Sequence, residues 1–133
     1  MKRILIADDN PLVRRGLRHL IERHREWKVV AEAKDGRDVV DRARELHPDV
    51  VVLDLVMPNM NGLEAARELA KTEPQLPILL CTVQWSPHIV DQARKSGARG
   101  AVSKSEAGQI ADAIAALIEK RTFYSGREEA PTR

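Results

Sequence analysis

A chain of 133 residues with 22 Lys plus Arg against 20 Asp plus Glu, net +2 at neutral pH, has the length of one domain and is near charge balance. That balance excludes a polybasic nucleic-acid arm or an acidic tail as the main device, and 43% hydrophobic with 32% charged residues is a globular, not a disordered, composition. One cysteine, Cys81, excludes an intramolecular disulfide framework and fits a reducing compartment, and no apolar run approaches the roughly 20 residues of a membrane span.

The predicted elements alternate in type. Residues 4–7 (Ile-Leu-Ile-Ala) form an apolar run that predicts a strand covered on both faces. The Met1-Lys2-Arg3 that precedes it starts like a secretory leader, but the run is too short and Asp8-Asp9 cuts it off, so a soluble cytoplasmic protein is expected. Asn10 as N-cap and Pro11 at the first helical position open a helix. On it Val13, Leu17, Leu20 and Ile21 form an apolar stripe, with Arg14, Arg15, Arg18 and Glu22 opposite as a solvated basic face. Residues 29–33 predict the second strand. Residues 36–46 predict the second helix, with Val39, Val40, Ala43 and Leu46 on its stripe and His47-Pro48 closing it. Residues 50–53 predict the third strand, and Leu63, Ala66, Leu69 and Ala70 mark the third helix. Residues 78–81 predict the fourth strand; Ser86-Pro87 repeats the cap-and-proline device before a weaker stripe of Ile89, Val90 and Ala93, and Gly97 stands where a C-cap belongs. Ala101-Val102 predicts a short fifth strand, and Ile110, Ile114, Leu117 and Ile118 a fifth helix. Residues 121–133 lack a periodic apolar pattern and are expected to be a flexible tail or linker stub after a domain of residues 1–120.

Five strand–helix repeats mean βαβ units and a parallel sheet with helices on both faces, and the length is too short for a β/α barrel. The expected class is therefore α/β, a five-stranded doubly wound sheet. Its function is carried by what ends each strand. The first runs into Asp8 and Asp9, the third into Asp54, the fourth into Thr82 and the fifth into Ser103-Lys104. Open α/β sheets bind ligands beyond the carboxyl ends of their strands, where strand order reverses. In the order 2-1-3-4-5 that point lies between the first and third strands.

Three carboxylates there need compensation, because two like charges about 4 Å apart repel by about 4 kcal/mol at a near-surface dielectric. Lys104 offsets one charge, and an oxygen-only donor set favours Mg²⁺ over zinc for the rest. Asp54 is then placed to act as a nucleophile forming an acyl phosphate, with Lys104 and the Thr82 hydroxyl on the phosphoryl oxygens. Each residue alone also has an ordinary use. Asp8 or Asp9 could cap the first helix, Asp54 could serve the Met57-Pro58 turn, Thr82 could end a strand and Lys104 could be solvated. Their joint placement at one sheet edge carries the chemistry.

The chain resembles the receiver domain of two-component response regulators from Met1 to about Lys120. The resemblance rests on Ile4-Leu5-Ile6-Ala7-Asp8-Asp9, on Val51-Val52-Leu53-Asp54-Leu55-Val56-Met57-Pro58, on Met60-Asn61-Gly62, and on Thr82, Gly97-Ala98 and Lys104. It implies the flavodoxin-like receiver fold with strand order 2-1-3-4-5. It also implies that Asp54 accepts a phosphoryl group from a sensor histidine kinase, a phosphotransfer protein or a small phosphodonor. Mg²⁺ would be held by Asp9, Asp54 and the backbone carbonyl of Val56, with Asp8 acting through water. Lys104 would contact the phosphoryl group. Thr82 would move toward it, reshaping the face of the fourth helix, fifth strand and fifth helix that a downstream protein or a second copy reads. Slow hydrolysis of its own acyl phosphate goes with this.

Three positions depart from the family pattern. The aromatic usually three residues before the lysine is Ala101, the proline usually after the lysine is Ser105, and the small residue usually after the threonine is Val83. Val83 either crowds access to Asp54 or packs against a neighbour. Trp85 is either a packing residue or a surrogate for the missing aromatic. Among other strand-end aspartate nucleophiles, haloacid-dehalogenase-like phosphatases carry a second aspartate two residues on; here that position is Val56, which cannot transfer a proton. A flavin or ligand module would want a Gly-rich or Ser/Thr-rich phosphate loop where Asp8-Asp9-Asn10-Pro11 stands. Val30-Ala31-Glu32-Ala33 with Asp35-Gly36, and Phe123-Tyr124-Ser125-Gly126, resemble receivers that precede a helix-turn-helix domain. With no such domain before Arg133, either a stand-alone receiver or a shortened regulator is expected, without nucleic-acid or membrane binding by this chain alone.

Overall fold

Apolar strands that lack alternation have no solvent side, and they take the inner positions of a sheet covered on both faces. The computed structural model describes residues 1–125. In chain order the elements are β1 (Lys2–Ala7), α1 (Pro11–Glu22), β2 (Trp27–Ala33), α2 (Gly36–Leu46), β3 (Val50–Leu53), α3 (Gly62–Thr72), β4 (Ile78–Thr82), α4 (Pro87–Ser96), β5 (Gly100–Ser103), α5 (Ala107–Ile118) and β6 (Phe123–Tyr124). The sheet order is β2-β1-β3-β4-β5-β6, with every pairing parallel.

Because successive side chains on a strand point to opposite faces, each strand feeds two cores. Leu5, Val51, Leu53 and Leu80 pack with Val39, Val40, Ala66, Leu69 and Val90 of α2, α3 and α4. Ile4, Ile6, Val52 and Leu79 pack with Leu17, Ile21, Ile114 and Leu117 of α1 and α5. Cys81 lies in this second core, where burial pushes its thiol up to about 12 and leaves it inert at neutral pH. No helix among the described residues is long and apolar enough to cross a membrane.

The helix punctuation behaves as the residue types require. The Asn10 side chain accepts from the backbone of Leu12 and Val13, Ser86 accepts from Ile89, and Gly97 closes α4 at φ 100°. His47 takes the left-handed cap position after α2 at φ 50°.

The sheet differs from the five-stranded expectation by a sixth strand, drawn from the segment expected to be a flexible tail or linker stub. Phe123 N–H donates to Arg99 O at 3.0 Å and Ser125 N–H to Ala101 O at 2.9 Å. The Tyr124 hydroxyl donates to Ala98 O at 2.8 Å, and the Arg94 guanidinium sits 4.3 Å from the centre of its ring. Two residues carry no periodicity, so this strand exists only through the β5 edge it pairs with. Residues 126–133, the rest of the expected tail, lie outside the described residues.

Candidate functional site

The site is built from the first residues beyond the strand ends. Asp8 N–H still donates to Ala33 O of β2 at 3.1 Å, and Asp54 N–H to Ala7 O of β1 at 3.0 Å, so ladder hydrogen bonds fix both backbones. Asp8 is buried at 1% exposure and Asp54 at 7%, whereas Asp9 is exposed. One carboxylate oxygen from each of the three lies within 4.8 Å of the others. The donors are all oxygen and one of them is open to solvent, which fits a hard divalent cation.

Hydrogen bonds orient the two buried carboxylates. Asp8 Oδ1 accepts the Asn10 N–H at 2.9 Å, and Asp54 Oδ1 accepts the Leu55 N–H at 2.8 Å. Lys104, one residue past β5, reaches over the end of β4. Its N–H donates to Thr82 O at 3.0 Å, its Nζ pairs with Asp8 Oδ2, and the same Nζ stands 3.2 Å from Asp54 Oδ2. Thr82, 1% exposed, ends β4 between them, and its Oγ1 accepts the Gln84 N–H at 3.1 Å.

Burial works against the Lys104 ammonium, but its hydrogen bond to Asp8 and the charge of Asp54 outweigh this, and its pKa is raised. Asp54 is also raised: burial disfavours its charge, Lys104 opposes that, and Asp8 adds repulsion. One ammonium shared by two carboxylates therefore stays charged, yet leaves Asp54 short of compensation.

Asp54 thus binds its proton more tightly in the fold than in the unfolded chain. Its contribution favours the fold most fully below the ordinary value of 3.8 and is lost as pH rises through the raised value. Replacing it with Asn removes that neutral-pH penalty. In urea titrations without metal, Asp54→Asn unfolds at a higher midpoint than the parent at pH 7, and the gap narrows as pH falls toward 3.8.

The structure brings together Asp8, Asp9, Asp54 and Lys104, with Thr82 beside them. Val56 lies in the loop after β3 and is 51% exposed. Val83 is 72% exposed, so it does not pack into a neighbour. Trp85 is half-buried against the α2–α4 core, and its Nε1 has no partner among the described residues. The aromatic in register with buried Ala101 is Tyr124, packed on the same core as Trp85.

The basic face of α1 is not simply solvated. Arg14 and Arg18 both pair with Glu32 of β2, and Arg14 also reaches the Asp8 carbonyl. A charged residue inside a strand of otherwise apolar neighbours was the signal available for this. Gly62 was visible only as part of a motif. Its N–H donates to Leu55 O at 2.8 Å, and its Cα lies so close to the Asp54 backbone that a Cβ would fall 2.2 Å from Asp54 O.

Residues 4–115 match the family model described as the response regulator receiver domain. The chemotaxis protein CheY of Thermotoga maritima is 37% identical over 103 residues, covering 77% of this chain and 85% of that protein. The response regulator UvrY of Escherichia coli is 36% identical over 127 residues, covering 96% of this chain and 56% of that protein. The chain thus spans about half the length of several curated regulators it matches, 51% of the Bacillus subtilis transcriptional regulatory protein YdfI among them. Among solved structures, a two-component response regulator of the LuxR family from an Aurantimonas species superposes with a TM-score of 0.90 at 37% identity, over 92% of this chain and 89% of that one.

Proposed function

The chain belongs to the response regulator receiver family, the phosphoaspartate-accepting component of two-component signalling, and on that premise we propose that Asp54 is its phosphoacceptor. The observation that carries this is the Asp54 carboxylate itself. It is fixed beyond β3 by the Leu55 N–H, stands 3.2 Å from Lys104 Nζ, and lies within 4.8 Å of Asp8 and Asp9 oxygens.

In this reading an Asp54 oxygen attacks phosphorus in line with the donor bond. The new P–O bond forms as the donor's P–N or P–O bond breaks. The leaving group carries off that electron pair, and an imidazole then takes a solvent proton. Lys104 follows the negative charge from carboxylate to phosphoryl oxygen, and the Thr82 hydroxyl turns to the same group once it is in place. Asp9, Asp54 and the Val56 carbonyl would hold Mg²⁺, with Asp8 as the third carboxylate of the cluster. When bound, that ion supplies charge compensation for the carboxylates and the incoming phosphoryl oxygens. Val56 offers no proton donor, so hydrolysis of the acyl phosphate is slow and external esters are not turned over.

In this reading the chain acts in the cytoplasm, its donor is a sensor histidine kinase, a phosphotransfer protein or a small phosphodonor, and its output is contact with a downstream protein. The phosphoacceptor unit is residues 1–120, with 121–133 appended to it. A homodimer through the α4, β5 and α5 face would engage β6, because β6 occupies the open edge of β5.

Intact mass after incubation with Mg²⁺ and acetyl phosphate tests the assignment. The parent gains one phosphoryl group, whereas the chelated sample and Asp54→Ala gain none. An adduct on Asp54→Ala would move the acceptor elsewhere, and no adduct on the parent, from acetyl phosphate or a kinase, would reduce the chain to a binding module.

A further inference from the structure

The turn joining β1 to α1 carries both Asp8 and Asp9, and its backbone has few internal restraints. Pro11 has no N–H, and the Asn10 N–H is taken by the Asp8 side chain at 2.9 Å. Among the described hydrogen bonds the Asp8 carbonyl receives no backbone donor. It receives Arg14 Nη1 at 2.6 Å. That carbonyl belongs to the peptide plane linking Asp8 to Asp9, so holding it sets the direction in which Asp9 leaves the turn. Asp9 is the exposed member of the carboxylate cluster, and no side-chain hydrogen bond is described for it.

The guanidinium is itself held. Arg14 Nε lies 3.0 Å from Glu32 Oε1, with side-chain exposures of 18% and 27%, and Arg18 Nε lies 2.8 Å from Glu32 Oε2. Glu32 sits in β2 next to β1, so the brace runs from the sheet through Arg14 to the turn. A bare cation beside a metal site would repel the metal. Glu32, shared with Arg18, and Glu22, which also pairs with Arg18, together balance the two guanidinium charges and leave the geometric restraint.

We propose that Arg14 is a positioning residue for the divalent-cation site, holding the Asp8–Asp9 peptide through the Asp8 carbonyl while Glu32 holds Arg14. This rests on the assignment of Mg²⁺ to the aspartate cluster given above. Arg18 provides the internal control. It contacts the same glutamate from the same helix face, but it donates to Val29 O and not to the turn.

The test is a Mg²⁺ titration of the metal-free full chain, followed by amide chemical shifts in NMR, on the parent and on Arg14→Gln, Arg14→Lys and Arg18→Gln. Thermal midpoints without metal are measured in parallel. Arg14→Gln is expected to bind Mg²⁺ about tenfold more weakly, in the range usual for losing a partner that orients a ligand. Arg14→Lys, which keeps the charge but not the two-armed fork, falls between parent and Gln. Arg18→Gln loses its ion pairs to Glu32 and Glu22 and has a lowered midpoint, but binds as the parent does. Arg14→Gln affinity equal to the parent, or Arg18→Gln weakened as much, would overturn the brace while leaving the metal site standing. A parent with no saturable Mg²⁺ response would overturn both. Should Arg14→Gln fail to fold, Arg14→Lys decides: parental affinity in that variant would equally sink the proposal.

Discussion

Lys104→Met is expected to lower the stability of the metal-free chain at neutral pH by about 2–3 kcal/mol, measured by urea unfolding. The substitution keeps an unbranched four-atom stem, with sulfur in place of Cδ, and removes the ammonium. That ammonium pairs with Asp8 and stands 3.2 Å from Asp54, and those two carboxylates are 1% and 7% exposed. Removing one partner of a fully buried ion pair costs about 3–5 kcal/mol, because the other charge is left in a poor solvent. Here the figure is lower for two reasons. The Lys104 side chain keeps 14% exposure, and Asp54, whose pKa already stands above the usual range, can take a proton in place of remaining charged. The second reason makes the loss dependent on pH: it is largest above the raised value and shrinks in acid. Adding Asp54→Asn to Lys104→Met removes one of the stranded charges and recovers part of the stability, since Asp8 stays buried without its ammonium. A Lys104→Met chain as stable as the parent at pH 7 would mean that the pairing contributes nothing net. On the proposed role of Lys104, phosphoryl uptake by the same variant is expected to fall irrespective of stability.

The sequence makes the sheet legible because the inner strands are buried on both faces, and unbroken runs such as Val50–Leu53 leave little room for another assignment. The helices are legible because Asn10-Pro11 and Ser86-Pro87 have few other structural uses, and the structure keeps both as caps. Asp8, Asp9, Asp54 and Lys104 were readable from position alone, since each stands just past a strand end. What stayed hidden depends on contacts between segments distant in sequence. β6 has two residues and no pattern of its own. Glu32 is an isolated charge in a strand until Arg14 and Arg18 are seen to meet it across the β1–α1 turn. Ala101 pairs in register with Tyr124, an aromatic from a segment with no strand signal. Gly62 belongs with these, because its reason is the approach of one backbone to another.

Gly62→Ala is the substitution expected to damage fold and site together. Gly62 opens α3 directly after Asn61, whose side chain accepts from Glu64 N–H while the Glu64 carboxylate accepts from Asn61 N–H. Propensity alone favours Ala at a helical position by about 1 kcal/mol. Packing opposes it, for the added Cβ would stand 2.2 Å from Asp54 O and 2.9 Å from both Leu55 Cα and Leu53 Cδ1. The two nearest backbone atoms cannot rotate away as a flexible side chain would, and Gly62 N–H is tied to Leu55 O at 2.8 Å. Either α3 withdraws or the strand end carrying Asp54 shifts. Overpacking of this kind costs about 1–3 kcal/mol and more against fixed backbone, so the net loss expected in urea unfolding is about 2 kcal/mol. Gly16→Ala, on the open face of α1 where an added Cβ meets nothing within 4 Å, provides the contrast, and there the propensity gain of about 0.5–1 kcal/mol stands unopposed. Because the clash falls on the backbone that bears the Asp54 carboxylate, the proposed phosphoacceptor, phosphoryl uptake by Gly62→Ala is expected to drop even under conditions where the variant is fully folded. A Gly62→Ala chain that matched Gly16→Ala in stability and kept parental uptake would show that the close approach constrains neither the strand end nor the aspartate.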